Sequence, residues 1–202
     1  MKKAVGAAPR GRPPVGARLN RQSIRLPGYD YAQPGSYFIT LVTQHRFCAF
    51  GAVADGRMNM NPIGRMVKTV WDEIPAYYPG VGIDAAVVMP NHFHGIIVLA
   101  GAAPRGCPIP VESDGQAGAP APTIPAKPLS LPDVVHRFKS LTTARYRDGV
   151  KQYAWPDFPG HFWQRNYHEH IIRDDAEMAR IRHYIANNPI QWQRDRFHIV
   201  PR

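Results

Sequence analysis

The segment VVMPNHFHGIIVL (Val87–Leu99) contains two short apolar stretches on either side of Pro90-Asn91. A Pro-Asn pair indicates a turn, and short apolar, β-branched stretches on both sides of it are typical of paired strands. Alternate residues of a strand point to the same face, so His92 and His94 are predicted to share one face while Phe93 points into the core. A β-hairpin is therefore the expected centre of the fold.

The regions around this hairpin complete a pattern of alternating strands and helices. Upstream we predict a strand at Tyr37–Thr43 and an amphipathic helix at Asn61–Tyr77. Downstream we predict a helix at Ser130–Arg147, a short strand or ordered loop at His168–Ile172, and a last helix that starts after Asp174 and ends at Asn188, before Pro189. Phe47–Val53 could pair with the first strand or form a loop.

This order predicts an α+β protein with a ferredoxin-like, RRM-like antiparallel sheet, helices on one face and an added C-terminal helix. We expect one domain at 25–202. Residues 1–24 read as a basic disordered arm, and 101–128 as a Pro/Gly-rich insertion, with seven prolines and four glycines between Gly101 and Pro128.

The charge balance favours a polyanionic partner. Lys and Arg number 25 against 15 Asp and Glu, a formal net charge of +10, which draws nucleic acid towards the surface. No apolar run approaches the roughly 20 residues that span a bilayer. Two cysteines do not make a disulfide scaffold, so we expect a reducing cytoplasmic setting and no membrane partner.

Three groups of residues could carry chemistry. Two neutral imidazoles on one strand face can hold a divalent metal. His92 and His94 could instead be structural histidines whose hydrogen bonds are satisfied within the fold. His168 and His170 repeat the spacing and are expected at the surface. Tyr184 and Asn188 are four residues apart and share a helix face, so they could serve as a nucleophile and an amide ligand of the metal. Alternatively, Tyr184 could pack against the sheet and Asn188 could cap the end of the helix.

The third group is cationic. Basic residues with interleaved aromatic rings suit a single DNA strand or a hairpin tip, although a solvated basic face over core aromatics would look similar. The candidate DNA-binding residues are Arg137, Lys139, Arg145, Arg165 and Arg173.

Four segments in order resemble one family. VVMPNHFHGIIVL resembles the His-hydrophobic-His strand of the single-tyrosine HUH transposases. RLPGYDYAQPGSYFIT (Arg25–Thr40), FWQRNYHEHIIRD (Phe162–Asp174) and RHYIANNP (Arg182–Pro189) are similar to motifs of the branch called REP-associated tyrosine transposases. The resemblance covers about Arg25 to Trp192, interrupted by the insertion.

The resemblance implies a role for each matching residue. His92 and His94 would bind Mg²⁺ or Mn²⁺, with Asn188 as third ligand, and Tyr184 would attack the DNA. It implies cleavage and rejoining of single-stranded DNA beside a hairpin, through a 5′-phosphotyrosine, by a monomer or homodimer associated with the bacterial nucleoid. Relatives often have Gln at the position of Asn188, and the insertion is longer than in compact members.

Two other functions remain open at this point. A domesticated relative could hold hairpin DNA or RNA without cutting it. A metal-dependent phosphodiesterase could use water as the nucleophile and would never carry a covalent adduct.

Overall fold

The computed structural model describes residues 25–100, 129–158 and 160–199. The predicted arm at 1–24 and the insertion at 101–128 lie outside the described residues. Within the described ranges, no helix is both long enough and apolar enough to cross a membrane. The helices and strands are β1 (Gly35–Val42), β2 (Gly51–Ala54), β3 (Arg57–Met60), α1 (Pro62–Tyr77), β4 (Val81–Val88), β5 (His92–Leu99), α2 (Leu131–Tyr153), β6 (His168–Ile172) and α3 (Asp175–Asn187).

Four of the strands form one antiparallel sheet in the order β4-β5-β1-β6. With α1 between β1 and β4 and α2 between β5 and β6, this is the split βαβ arrangement, and the predicted fold class is confirmed. Residues 47–53 do not join this sheet. Both edges of β1 are already occupied by β5 and β6, and β2 pairs instead with β3 in a separate hairpin.

The main core lies between one face of the sheet and helices α1 and α2. Phe93 of β5 points to this face, as predicted, and its ring centroid lies 4.8 Å from that of Trp71 and 5.2 Å from that of Phe138. Gly95 follows on the same face, where a Cβ atom would lie 2.7 Å from the Trp71 ring. The close approach of this ring to the strand therefore depends on a glycine.

Helix α2 extends beyond its predicted end at Arg147. It begins with a capping box between Ser130 and Asp133 and continues to Tyr153. Gly149 interrupted the apolar pattern in the sequence, but in the fold it is buried under the Trp155 ring, which fills the place of its missing side chain. A glycine can thus belong to a helix interior when a neighbouring ring packs on its backbone.

Helix α3 packs on the opposite face of the sheet. Ile185 contacts a small apolar cluster that includes Ile96 of β5 and Ile172 of β6. Arg182 donates two hydrogen bonds to the Asp84 carboxylate of edge strand β4, at 2.8 and 2.6 Å. Apolar packing and this ion pair together hold α3 against the outer face of the sheet.

Candidate active site

The first two site residues come from the start of β5. His92 and His94 alternate along the strand, point to the face that α3 covers, and are 0% and 1% exposed. Their ring centroids lie 4.7 Å apart. The structure therefore brings both imidazoles to one buried place, as the strand period predicts.

Each imidazole is oriented through its Nδ1 atom. The amide nitrogen of Asn91 donates to the carbonyls of Arg46 and Phe197, so its Oδ1 accepts a hydrogen bond from Nδ1 of His92 at 2.9 Å. Nδ1 of His94 shares a 2.8 Å hydrogen bond with the hydroxyl of Thr40. Both rings are thus fixed with Nε2 directed into the site, as in histidines that ligate metals.

Burial also sets the charge of these rings. Loss of hydration lowers the pKa of His92 to about 4, an effect that the nearby Asp195 carboxylate offsets only in part. The pKa of His94 is lowered well below its usual value by burial and then by His92. Both rings are therefore neutral near pH 7, which is the form that binds a metal ion.

Two further oxygen donors reach the same place. Asn188, which follows α3, is 2% exposed, and its Oδ1 is buried without a hydrogen-bond partner. Asp195 was absent from the predicted site, yet its Oδ2 lies 3.9 Å from Nε2 of His92. Donor atoms of Asp195, His92 and His94 all lie within 4.8 Å of one another.

No sequence signal singles out Asp195. It follows a short 3₁₀ turn at Trp192–Arg194, outside any periodic element. Phe197 packs beside it, with its ring centroid 4.8 Å from that of His92. The contribution of this segment depends on how the chain folds back after α3.

Tyr184 completes the arrangement from the last turn of α3. Its phenol oxygen lies 3.4 Å from Nε2 of His94, and the residue is 41% exposed. Burial of the phenol and then the charge of Asp195 raise its pKa, while the nearby Asn188 side chain lowers it. The phenol is thus close to the buried donors and open to solvent, but needs activation to lose its proton at neutral pH.

An open cavity of about 350 Å³ adjoins the phenol. Its walls include Tyr184, Phe38, Arg180 and the pair formed by His170 and Glu177, whose Nε2 and Oε1 atoms lie 2.7 Å apart. His168 and His170 are both exposed, which agrees with their expected surface position. The phenol therefore faces a space that an incoming strand can reach.

The predicted DNA-binding cations do not form one cluster with the phenol. Arg145 of α2 is paired with Glu73 of α1, with a shortest distance of 2.6 Å. Arg137 lies over the Tyr78 ring, 4.9 Å from its centroid. Both are therefore engaged with the α1 side of the molecule.

The other three predicted cations lie elsewhere. Lys139 and Arg165 line one broad groove beside α2, and Nζ of Lys139 donates to the carbonyls of Gln164 and Arg165 at 2.6 and 3.1 Å. Arg173 precedes α3, and its backbone N–H donates to Glu177 at 2.9 Å. The structure thus separates a set of residues that the sequence grouped by charge alone.

Comparison with known proteins gives two curated relatives, whereas no family model matches the chain. An uncharacterized protein of Haemophilus influenzae is 37% identical over 182 residues, which are 89% of this chain and 94% of the relative. A second protein of that organism, named "Putative REP-associated tyrosine transposase", is 23% identical over 162 residues, 80% of this chain and 74% of the relative. The similarity thus spans nearly the whole of the first relative.

A solved structure with the same fold is among those that match the chain. It is a REP-associated tyrosine transposase bound to a REP hairpin, with a TM-score of 0.50 and 19% identity over 84% of this chain and 73% of the other. At this identity the match shows a common architecture of sheet and helices.

Proposed function

We propose that the chain is a REP-associated tyrosine transposase of the single-tyrosine HUH family, a proposal supported by the weaker curated relative and by the shared fold, and that it cleaves and rejoins single-stranded DNA. The observation that carries the proposal is the 3.4 Å approach of the Tyr184 phenol to His94, beside a second imidazole. A tyrosine can attack phosphorus as a covalent nucleophile. Here it stands on an exposed helix face next to buried groups suited to bind a metal.

The donor set fits a divalent cation. Nε2 of His92 and Oδ1 of Asn188 are buried without hydrogen-bond partners, an arrangement that costs stability unless a ligand satisfies it. His92, His94 and an oxygen of Asn188 or Asp195 would hold Mg²⁺ or Mn²⁺. When bound, the ion supplies Lewis-acid polarisation of a phosphate oxygen and stabilises the charge that develops there.

The reaction assigned to Tyr184 is a reversible exchange of phosphoester bonds. The phenol oxygen loses its proton and attacks phosphorus, forming a Tyr–O–P bond while the bond from phosphorus to the 3′ oxygen breaks. The 3′ oxygen leaves with a proton as a 3′-OH, and the downstream strand stays attached through its 5′ phosphate. A 3′-OH can reverse the exchange, so no ATP is needed.

The proposed substrate is DNA with a hairpin next to the cleavage point. The solved relative is bound to a REP hairpin, and the net charge of +10 favours a polyanion. We assign the activity to residues 25–202 as one domain, acting as a monomer or homodimer at the bacterial nucleoid. Arg173 and Arg165 are proposed to contact phosphates, with Arg137, Lys139 and Arg145 as further candidates.

A covalent adduct is the decisive test. The full chain would be incubated with Mn²⁺ and a hairpin oligonucleotide labelled at its 3′ end, then run on a denaturing gel. We expect a labelled protein band that Tyr184→Phe abolishes and that Tyr153→Phe, which alters an exposed tyrosine at the end of α2, retains.

Two results would contradict the proposal. Cleavage without a labelled protein band would indicate water as the nucleophile. Tight hairpin binding without cleavage, unchanged in Tyr184→Phe, would indicate a binding protein for hairpin DNA or RNA.

A further inference from the structure

Two adjoining cavities lie outside the site of Tyr184, and α2 lines the larger of them. The larger, which we call the α2 groove, has a volume of about 980 Å³ and is lined by Lys139, Arg147 and Arg165 among others. The smaller, the aromatic pocket, has a volume of about 220 Å³. Gln44, His161 and Phe162 line both cavities, so the two are neighbours.

The groove presents cations that the fold leaves unpaired. Arg147 and Arg165 are exposed, and in the part of the chain that the structure describes neither has an acidic group within ion-pair distance. Lys139 is held in place by two backbone carbonyls. Burial lowers the pKa of its amine to about 8, so it is still charged at neutral pH. Arg145, on the same helix, is instead neutralised by Glu73.

The pocket is apolar and its outer wall is strained. Phe47, Phe158 and Phe162 contribute rings, and Phe47 is 46% exposed. The preceding turn has His45 and Arg46 at φ 56° and 57°, a left-handed conformation that side chains rarely adopt. Backbone strain of this kind is concentrated at functional sites. This turn leads directly into Phe47, whose ring is partly exposed in the wall of the pocket.

The pocket lies at the same end of the sheet as the buried histidines. Thr43, in its wall, donates its hydroxyl and its backbone N–H to the carbonyl of Asn91 at 3.0 and 2.9 Å. Asn91 in turn orients His92. Thr43 and Asn91 thus connect the wall of the pocket to the buried histidines.

We propose that the aromatic pocket receives one unpaired base of a single DNA strand whose phosphates lie along Lys139, Arg147 and Arg165 in the α2 groove. Cationic grooves combined with aromatic rings are how proteins bind single strands, because phosphates pair with charge and bases stack. The Asp157 carboxylate at the pocket wall is an acceptor for an amino group of a base. The inference rests on the proposed function, which identifies the ligand as single-stranded DNA, and it adds the place where the unpaired strand binds.

Affinity for short single-stranded oligonucleotides tests the groove. In Arg147→Ala/Arg165→Ala we expect weaker binding. The slope of log K against log salt concentration should become less steep by about 1.4, because each phosphate contact to a single strand contributes about 0.7. Arg57→Ala/Lys68→Ala removes the same charge from β3 and α1, outside both cavities, and should leave the slope nearly unchanged. Equal loss in both double variants would overturn the groove assignment.

A base analogue tests the pocket. 2-Aminopurine is placed at successive positions of the oligonucleotide, and one position should change its fluorescence on binding. Phe47→Ala should weaken binding roughly 5- to 150-fold and abolish that change, whereas Phe47→Tyr, which keeps the ring, should retain both. An abasic site at that position should not weaken binding to Phe47→Ala any further.

Several outcomes separate this inference from the proposed function. A labelled adduct at Tyr184 together with full affinity in Phe47→Ala would overturn the pocket and leave the transposase chemistry intact. Binding that depends on Phe47 without any labelled adduct would overturn the transposase chemistry and leave the pocket intact. Thermal unfolding shows whether each variant folds. If Phe47→Ala does not fold, an abasic site is placed at successive positions of the oligonucleotide and binding to the unaltered protein is measured. Loss of affinity at one position supports the pocket, and equal affinity at all positions overturns it.

Discussion

The phenol oxygen of Tyr184 lies 3.4 Å from Nε2 of His94 across 90 residues of sequence. One group comes from the second strand of the hairpin and the other from a helix that crosses the far face of the sheet. This contact depends on the packing of α3 against the sheet. It also depends on the hydrogen bonds of both Nδ1 atoms, which orient the two imidazoles.

Removing an imidazole should reduce metal affinity. We expect His92→Ala to weaken Mn²⁺ binding strongly, because two histidines supply half or more of the proposed ligands. Thr40→Val, which removes the hydroxyl bonded to His94, should weaken it about 10- to 100-fold. Calorimetric titration with Mn²⁺ measures both. His168→Ala, which alters an exposed histidine on the same face, should bind as the unaltered protein does; an equal loss there would refute the assignment.

The identity of the third ligand can be decided between two oxygen donors. If the Asp195 carboxylate binds the ion, Asp195→Asn should weaken Mn²⁺ binding more than Asn188→Ala, because a charged oxygen binds a hard cation more strongly than an amide. The same titration ranks the two variants. A larger loss in Asn188→Ala would assign the role to the amide, whose Oδ1 is buried without a partner.

The ion pair between Arg182 and Asp84 should make stability depend on acid pH. The hydrogen bonds from Arg182 lower the pKa of Asp84, so its stabilising effect is present above the unfolded value of about 3.9 and is lost as pH falls through the folded pKa. Urea unfolding should therefore show Asp84→Asn as less stable than the unaltered protein at pH 7, with the difference vanishing at strongly acid pH.

Adduct formation should also slow in Asp84→Asn, because α3 carries Tyr184 and loses one of its attachments to the sheet. Lys68→Ala breaks an exposed pair within α1 and is the control. Identical pH profiles for Asp84→Asn and the unaltered protein would exclude the attachment.

Gly95→Ala should destabilise the protein by about 1–3 kcal/mol, as overpacking does in a filled core. The new Cβ would lie 2.7 Å from the Trp71 ring and 2.8 Å from the Phe93 ring. Urea unfolding gives the change in the free energy of unfolding. At Gly82 a Cβ would make only ordinary contact with Val98 at 3.4 Å, so Gly82→Ala should change stability little. Comparable losses at both positions would argue against the packing described for Trp71.

Local pattern was enough to predict most of the fold. Alternation placed His92 and His94 on one face, helical spacing located α1, and Pro189 marked the end of α3. These signals depend on neighbours within about one turn or one strand, which the sequence states directly. The length of α2 was underestimated because the apolar pattern fades after Arg147, and the packing of Trp155 on Gly149 depends on residues beyond the helix.

The site required the tertiary structure. Asp195 has no periodic neighbours, and it reaches His92 only because the chain folds back after α3. Likewise, charge alone could not distinguish Arg145, which Glu73 neutralises, from Arg165 in an open groove. The sequence by itself determined which residues alternate and where elements end, because those are short-range properties. Which distant side chains meet was decided by the order of the sheet and the path of α3, since contacts across tens of residues exist only once the layers have packed.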